Sequence, residues 1–480
     1  MKVLTAAEMR EVDARTIASG IPGLILMENA AHRVVEALRA EFGGLRSERI
    51  LVLCGKGNNG GDGLAIARLL HVVERTAALW VVMASAPSEL TGDAAANYAM
   101  LRAAGVEPGT EITAEMRRAT IVVDALLGTG MQGGARGRAA ELIAEINTGF
   151  PDARVVAVDV PSGIESDEAE TKGLVARADL TITFTALKPA HALAPNCGRM
   201  GKVVVGRIGT PEEMLAGSRL EVIEPGVHFP ALFAPRARGG HKGTYGHVLV
   251  IGGARGKTGA AQMAGLAALR AGAGLVTVAC EDAQGFAPEL MTEALPGTLE
   301  RKTVVAIGPG LGHREETLAM FRECPLPMVC DADALNTLAG TEFRGPGALR
   351  VLTPHPGEMS RLSNGSSKGR VELARGFAVE RNVVLVLKGQ RTLLAFPDGR
   401  VFINPTGTPA MATGGSGDVL TGMIAGLLAQ YPQEAEAAIL AAVYWHGRAG
   451  ELGAERWGER SLIATDLLEF LPAAMRDVSH

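Results

Sequence analysis

Short aliphatic runs recur along this 480-residue chain, each stopping at a glycine-rich or aspartate-bearing loop that leads into a stretch of small residues with helical character. Strands alternating with helices in this way build a mainly parallel sheet, the α/β class. In such a sheet the carboxyl ends of the strands line the ligand crevice, so the loops after the strands are where chemistry is sought. The chain is too long for one ordinary core, and two domains are expected.

Composition narrows the function classes. Hydrophobic content of 47% is ample for burial, and the net charge of −5 comes without a Lys/Arg cluster, so neither nucleic acid nor a membrane surface is an expected partner. The five cysteines (Cys54, Cys197, Cys280, Cys324, Cys330) are scattered and show no metal-binding spacing. They read as buried residues of a reducing compartment. Glu8, Glu11 and Asp13 interrupt the N-terminal stretch where a signal segment would be apolar, and no run is long enough to span a bilayer. A soluble, cytoplasmic protein is the expectation.

In the first half, residues Leu4 to Phe42 read as helix, broken at Ile21-Pro22-Gly23, with Glu28 and Asn29 inside an apolar run either capping a neighbouring loop, the favoured reading, or reaching a site. A strand, Ile50 to Cys54, then runs into Gly55-Lys56-Gly57-Asn58-Asn59-Gly60-Gly61-Asp62-Gly63, with a helix predicted over Leu64 to Val73. Gly55, Gly57 and Gly60 have the spacing that lets a turn approach a pyrophosphate, yet the strand Leu79 to Met83 ends at Ala84-Ser85, without the acidic residue that would hold a ribose. An ordinary dinucleotide oxidoreductase is therefore a weak reading. Asn58, Asn59 and Asp62 put three oxygen-bearing side chains where turning requires only glycine, which suits a hard cation or a polar ligand. Two further strands end at Asp124, before Leu126-Leu127-Gly128-Thr129-Gly130-Met131-Gln132-Gly133-Gly134, and at Asp159-Val160-Pro161-Ser162-Gly163. One such aspartate is usually a turn or cap residue; three beside glycine-rich loops point to a site.

Periodicity fades after the strand Lys202 to Val205. Domains are expected at 1–215 and 241–480, joined by a proline-bearing connection over 216–240. In the second half, strands predicted from His247-Val248-Leu249-Val250-Ile251 onward end at Gly308-Pro309-Gly310-Leu311-Gly312, at Asp331-Ala332-Asp333, at Pro354-His355-Pro356 and at Lys388-Gly389-Gln390-Arg391-Thr392. Gly256-Lys257-Thr258 is not a P-loop, because Ile251 stands where its first glycine is required. The strongest feature is Ala412-Thr413-Gly414-Gly415-Ser416-Gly417-Asp418 ahead of an apolar small-residue helix. Glycines at a helix start let backbone N–H groups converge on a phosphate. Asp418 in the first turn is either a favourable helix-terminal carboxylate or a general base.

Gly57 to Gly63, Asp124 with Gly128-Thr129-Gly130, Asp159 to Gly163, and Thr183-Phe184-Thr185-Ala186-Leu187-Lys188-Pro189 resemble, in order, the NAD(P)H-hydrate epimerase family. The loops of the second half, with the cradle before Asp418, resemble the ADP-dependent NAD(P)H-hydrate dehydratase family. The resemblance implies a Rossmann-like three-layer domain followed by a ribokinase-like α/β domain. In the first it implies substrate contacts from Asn58, Asn59, Gly60, Gly61 and Asp62, from Gly128 through Thr129, Gly130, Met131, Gln132, Gly133 and Gly134, and from Asp159, which is also the acid/base residue. It implies K⁺ held by Asn59, Asp124 and Ser162, with Lys188 an electrostatic aid. In the second it implies that Ala260, Gly310, His355 and Asp418 face the hydrated cofactor, with Asp418 catalytic. Lys388, Gly389, Gln390, Arg391, Thr392 and Gly417 would hold the nucleotide.

The implied activity is repair of hydrated NADH and NADPH. One domain interconverts the R and S hydrates; the other dehydrates the S form, using ADP as phosphoryl donor with Mg²⁺ and releasing AMP. A homo-oligomer is expected. The competing reading is a ribokinase-like small-molecule kinase whose N-terminal domain is a non-catalytic cofactor-binding or scaffold module, since a phosphate cradle alone does not identify the acceptor.

Overall fold

The computed structural model describes residues 1–366 and 368–477, and the chain divides into two compact units, Met1–Ser218 and a second beginning at Arg219. The first unit is built on six parallel strands: β1 (Arg49–Cys54), β2 (Ala78–Met83), β3 (Ile121–Ala125), β4 (Arg154–Val158), β5 (Leu180–Phe184) and β6 (Lys202–Gly206), in the spatial order β2-β1-β3-β4-β5-β6. Alternate residues of β1 enter different cores. Ile50, Val52 and Cys54 pack with Leu64 and Ile66 of one helix and Val34 and Leu38 of another, whereas Leu51 and Leu53 pack with Leu142 and Ile146 on the opposite face. The sheet thus lies between two helical layers. Its strand order reverses between β1 and β3, the position at which a doubly wound sheet opens a crevice.

The N-terminal helices are Ala6–Ala18, started by a Thr5–Glu8 capping box, and Gly23–Phe42, with the expected break between them. Asn29 donates to the Ile208 carbonyl at 2.7 Å, tying down the loop after β6, while Glu28 pairs with Arg68.

The segment after β1 departs from expectation. The helix runs Asn58–Leu69, continued by a π-turn over Leu70–Glu74, so Asn58, Asn59, Gly60, Gly61 and Asp62 form its first turns instead of a preceding loop. None of Gly55, Gly57, Gly60, Gly61 or Gly63 has a positive φ. Their smallness serves close approach: a side chain at Gly60 would strike the Gly55 carbonyl, one at Gly61 would meet Met27 Sδ at 2.8 Å, and one at Gly63 would meet Ala125 Cβ at 2.6 Å.

The second unit holds a ten-stranded sheet. Its strands are β7 (Leu220–Val222), β8 (His247–Ile251), β9 (Leu275–Cys280), β10 (Met291–Ala294), β11 (Val304–Ile307), β12 (Met328–Cys330), β13 (Arg350–Leu352), β14 (Val384–Leu387), β15 (Leu393–Ala395) and β16 (Val401–Ile403). They lie in the order β10-β9-β8-β11-β12-β13-β14-β15-β16-β7, parallel except where β15 runs against β14 and β16. The 216–240 stretch is more than a connection. β7 pairs with β16, and the fully buried Phe229 stacks edge-on against Trp445 at 5.4 Å between ring centroids, so hydrophobic burial and strand pairing hold the stretch from Arg219 onward within the second unit.

The small-residue helix after the cradle, Ser416–Gln430, packs on the helix Thr258–Ala271 so closely that a side chain at Gly422 or Gly426 would collide with the backbone carbonyl of Ala264 or Ala268. This close contact fixes the helix that carries the cradle against its neighbour. Among the described residues, no helix is long and apolar enough to cross a membrane.

Candidate active sites

In the first unit a cavity of about 530 Å³ opens at the strand-order reversal. Asn58, Asn59 and Asp62 reach it from the helix after β1, Gly128 to Met131 from the loop after β3, and Asp159 from the end of β4. Asp159 has φ of 66°, a left-handed conformation uncommon for a residue with a side chain, and Thr185, with φ of 68°, is stranger still because it is β-branched. Lys188 Nζ donates to Asp159 Oδ1 at 2.7 Å, and Thr183 Oγ1 donates to the same oxygen at 2.9 Å. Burial alone would push the Asp159 carboxyl up; the charge and hydrogen bond of Lys188, helped by Thr183, outweigh it and hold the group below the usual carboxylate range.

His191 locks the same loop. Its Nδ1 accepts from the Lys188 N–H at 3.0 Å and its Nε2 lies 2.8 Å from the Asp159 carbonyl, which fixes the neutral tautomer with the proton on Nε2. Burial and the neighbouring Lys188 charge lower its pKa to about 4.

Asp124 and Ser162 are fully buried and do not line the cavity. Ser162 donates to Asp124 from its backbone N at 2.8 Å and from Oγ at 2.6 Å, while Oγ accepts from Leu127 N. Burial nonetheless keeps the Asp124 carboxyl above its usual range. Asn59 is buried with neither Oδ1 nor Nδ2 hydrogen-bonded, and it stands against Gly128 in the loop that follows Asp124. Two sets of expected contacts lie elsewhere: Gly60 and Gly61 face into the protein, and Gln132, Gly133 and Gly134 lie off the cavity wall, with Gly133 N donating to Glu165.

In the second unit a cavity of about 870 Å³ lies between the loop Lys388–Thr392 and the cradle. Lys388, Gly389, Gln390, Arg391, Thr392, His355, Gly417 and Asp418 all line it. Lys388 Nζ donates to Asp331 Oδ1 at 2.7 Å, and Thr421 holds the other Asp331 oxygen at 2.9 Å. A Cβ at Gly417 would stand 3.1 Å from Lys388 Nζ, so glycine there leaves the ammonium room beside the helix start. Gly415, with φ of 95°, makes the left-handed turn into the helix. Burial first, then the charge of Asp331, raises the Asp418 carboxyl to about 6, with Lys388 acting against them.

His355 is also a helix cap, its Nδ1 accepting from Gly357 N at 3.0 Å and Glu358 N at 3.3 Å. Ala260 and Gly310 do not line this cavity. They meet at the second sheet's own order reversal, between β8 and β11, where Asp333 accepts from Gly312 N and pairs with Lys257.

Several residues were not singled out from the sequence. Asp13 lines the first cavity from a helix far from any glycine-rich loop. His446, near the middle of the long helix Ala435–Trp457, lies 3.0 Å from the Ser416 carbonyl and 3.4 Å from Ser416 Oγ. It is surrounded by apolar residues and has no local motif. Asp331, by contrast, carried a signal: it directly follows a strand.

Residues 248–473 match the family described as NAD(P)H-hydrate dehydratase, and residues 23–190 match the YjeF-related protein N-terminus. A bifunctional NAD(P)H-hydrate repair enzyme from Moorella thermoacetica is 42% identical over 525 residues, covering 100% of this chain and 98% of that protein. The chain belongs to the bifunctional NAD(P)H-hydrate repair enzyme family. The Escherichia coli member is 37% identical, covering 95% of this chain and 90% of its own length. Among solved structures, an ADP/ATP-dependent NAD(P)H-hydrate dehydratase from Bacillus subtilis, co-crystallised with ATP/Mg²⁺, is 35% identical with a TM-score of 0.46, covering 50% of this chain and 92% of that one. A kinase with a non-catalytic first domain is not favoured, since both units match and full-length relatives carry both.

Proposed function

We infer that this chain returns hydrated NADH and NADPH to the reduced cofactors, its first unit interconverting the R and S hydrates and its second dehydrating the S form with ADP. The observation that carries the reading is Asp418, with a pKa raised to about 6, on the wall of the same cavity as Lys388 and the helix-start glycines. A carboxyl in that range is ionised at neutral pH and basic enough to accept a proton from an attacking hydroxyl.

In the second site Asp418 takes the proton of the substrate hydroxyl as its oxygen attacks the terminal phosphate of ADP, releasing AMP. The N–H groups at the start of the helix Ser416–Gln430, with Lys388, stabilise charge on the transferred group. The ring nitrogen then expels phosphate, the neighbouring carbon loses a proton, and the ring double bond returns. The loop Lys388–Thr392 and Gly417 hold the nucleotide and His355 faces the hydrated ring from the same cavity, while Ala260 and Gly310 would meet the ring only where it extends past that wall towards the β8/β11 reversal. Mg²⁺ belongs to this reading as a partner of the nucleotide phosphates, where it neutralises their charge.

In the first site Asp159, kept ionised by Lys188, moves the proton of the hydrated carbon's hydroxyl. Asn59, Asp124 and Ser162 suit K⁺: the unpartnered Asn59 side chain, standing against the loop that follows Asp124, and the buried Asp124 carboxylate, which has no ion-pair partner among the described residues, are oxygen donors of the kind it takes. A K⁺ ion would supply fixed positive charge that orders the loop after β3.

The test is absorbance in the reduced-nicotinamide band with both hydrate epimers, ADP, Mg²⁺ and K⁺. Recovery from both epimers is expected. Asp418→Ala should stop all recovery, and Asp159→Ala should confine it to the S form plus spontaneous epimerisation. Unchanged turnover in either variant would refute that residue's role.

A further inference from the structure

Asp159 shares its cavity with two other carboxyl groups. Asp13, from the helix Ala6–Ala18, and Asp62, from the helix Asn58–Leu69, both line it. Among the described residues neither carboxyl is hydrogen-bonded or ion-paired to the protein, whereas Asp159 is held by Lys188 and Thr183. The remaining charged groups around the cavity are Arg10, Lys56, Asp93 and Lys188. Asp13 is raised by burial and by Asp159, with Lys188 drawing it down; Asp62 is raised well above its ordinary value by burial and by the charges of Asp159 and Asp13. One cavity therefore holds a carboxylate fixed in its ionised form beside unpartnered carboxyls that favour the proton.

Inverting a carbon that bears both a hydroxyl and a ring nitrogen needs both kinds of group, because a proton must leave one atom as another arrives elsewhere. Asp159 supplies the base and leaves the acid unassigned. We propose that Asp13 is the proton donor that completes the first site, delivering its proton to the ring nitrogen while Asp159 removes that of the hydroxyl. The proposal rests on reading the first unit as the epimerase.

The step balances. Asp159 takes the hydroxyl proton, the O–H electron pair forms a carbonyl, the carbon–nitrogen bond breaks, and its electron pair goes to nitrogen, which takes the Asp13 proton. Rotation about the adjoining carbon–carbon bond turns the other carbonyl face to the nitrogen. Ring closure then reverses the transfers: nitrogen attacks, Asp13 recovers its proton, and Asp159 returns its own to the oxygen. Burial, with the ionised Asp159 in the same cavity, is what favours the proton on Asp13.

The experiment uses the full-length enzyme with purified R hydrate, ADP, Mg²⁺ and K⁺, following reduced-nicotinamide absorbance above the uncatalysed rate, with purified S hydrate as a control for the second site. Asp13→Asn should slow recovery from the R form by ~10²-fold or more, the scale of a lost general acid, with S recovery and the KM for R hydrate unchanged. Asp13→Glu, which restores a carboxyl, should recover most of that rate and keep the alkaline fall of the wild-type pH profile, which the residual Asp13→Asn activity should lack. An Asp13→Asn rate close to wild type would overturn the proposal, as would an Asp13→Glu variant no better than Asp13→Asn. Should Asp13→Asn lose the melting transition of the first unit, the Asp13→Glu rate and profile decide. An inactive Asp159→Asn beside an active Asp13→Asn sinks the donor alone; an active Asp159→Asn sinks the reading of the whole first site.

Discussion

Both cavities contain a lysine ammonium 2.7 Å from an aspartate at the end of a parallel strand, Lys188 on Asp159 in one and Lys388 on Asp331 in the other. The carboxylates assigned to proton transfer differ. In the first site it is the paired aspartate; in the second it is Asp418, which has no lysine of its own and is pushed up by the paired one. A buried lysine–aspartate pair can thus either fix a base in its ionised form or act as the charged neighbour that tunes one. The chemistry fits the contrast. A hydroxyl that must attack phosphorus calls for a base near neutrality, whereas a reversible proton shuttle works with a carboxylate held ready and an acid opposite.

Removing the assigned bases tests the contrast most directly. Asp418→Asn should reduce dehydration by ~10³-fold or more, while Asp331→Asn, which keeps Asp418 but removes the charge raising it, should cost less and move the acid limb downward. The pH profiles should separate too. Dehydration should rise with pH through a midpoint near 6 and epimerisation through a lower one, because Asp159 is held below the usual range. Exchanging each lysine comes next. Lys188→Met leaves only the Thr183 hydrogen bond and the nearby His191 to offset the burial of Asp159 and should shift the epimerisation limb upward with a ~10²-fold loss near neutrality. Lys388→Met strands a fully buried Asp331 and should destabilise the second unit by ~3 kcal/mol as well as weaken nucleotide binding, which melting with and without ADP would reveal.

The smallest effect is a gain. With a pKa near 6 in the fold against an ordinary value of 3.8, Asp418 binds its proton more tightly folded than unfolded, so stability falls as pH rises between those values. Above that window the cost is complete. Inactive Asp418→Asn should therefore melt ~2–4 °C higher than wild type at pH 8, and no difference at pH 3. A lower melting temperature at pH 8 would mean that the Asp418 charge is satisfied in the fold.

Much of this was legible in the chain because strand ends and glycines mark themselves. Asp159, Asp331 and Asp418 each follow a strand or a cradle, Asp124 is the last residue but one of β3, and the α/β alternation placed them on one edge of each sheet. What escaped did so for physical reasons. Asp13 and His446 project from ordinary helix positions, where function depends on what the helix packs against. The glycines after β1 read as a turn, yet the same absence of a side chain allows a helix to press on a strand, and local sequence cannot distinguish the two uses. The short strands β7, β15 and β16 hold three residues each, too few for a period to show.

The pairing of β7 with β16 also bears on how the chain is made. Synthesis completes the first unit at Ser218 and then releases Leu220–Val222, whose partner Val401–Ile403 does not yet exist. The first unit can therefore fold on the ribosome while this edge strand waits through most of the second. Three residues with Glu221 at the centre form a poor template for pairing with a stranger, and brevity and charge guard the nascent chain until its own strand arrives.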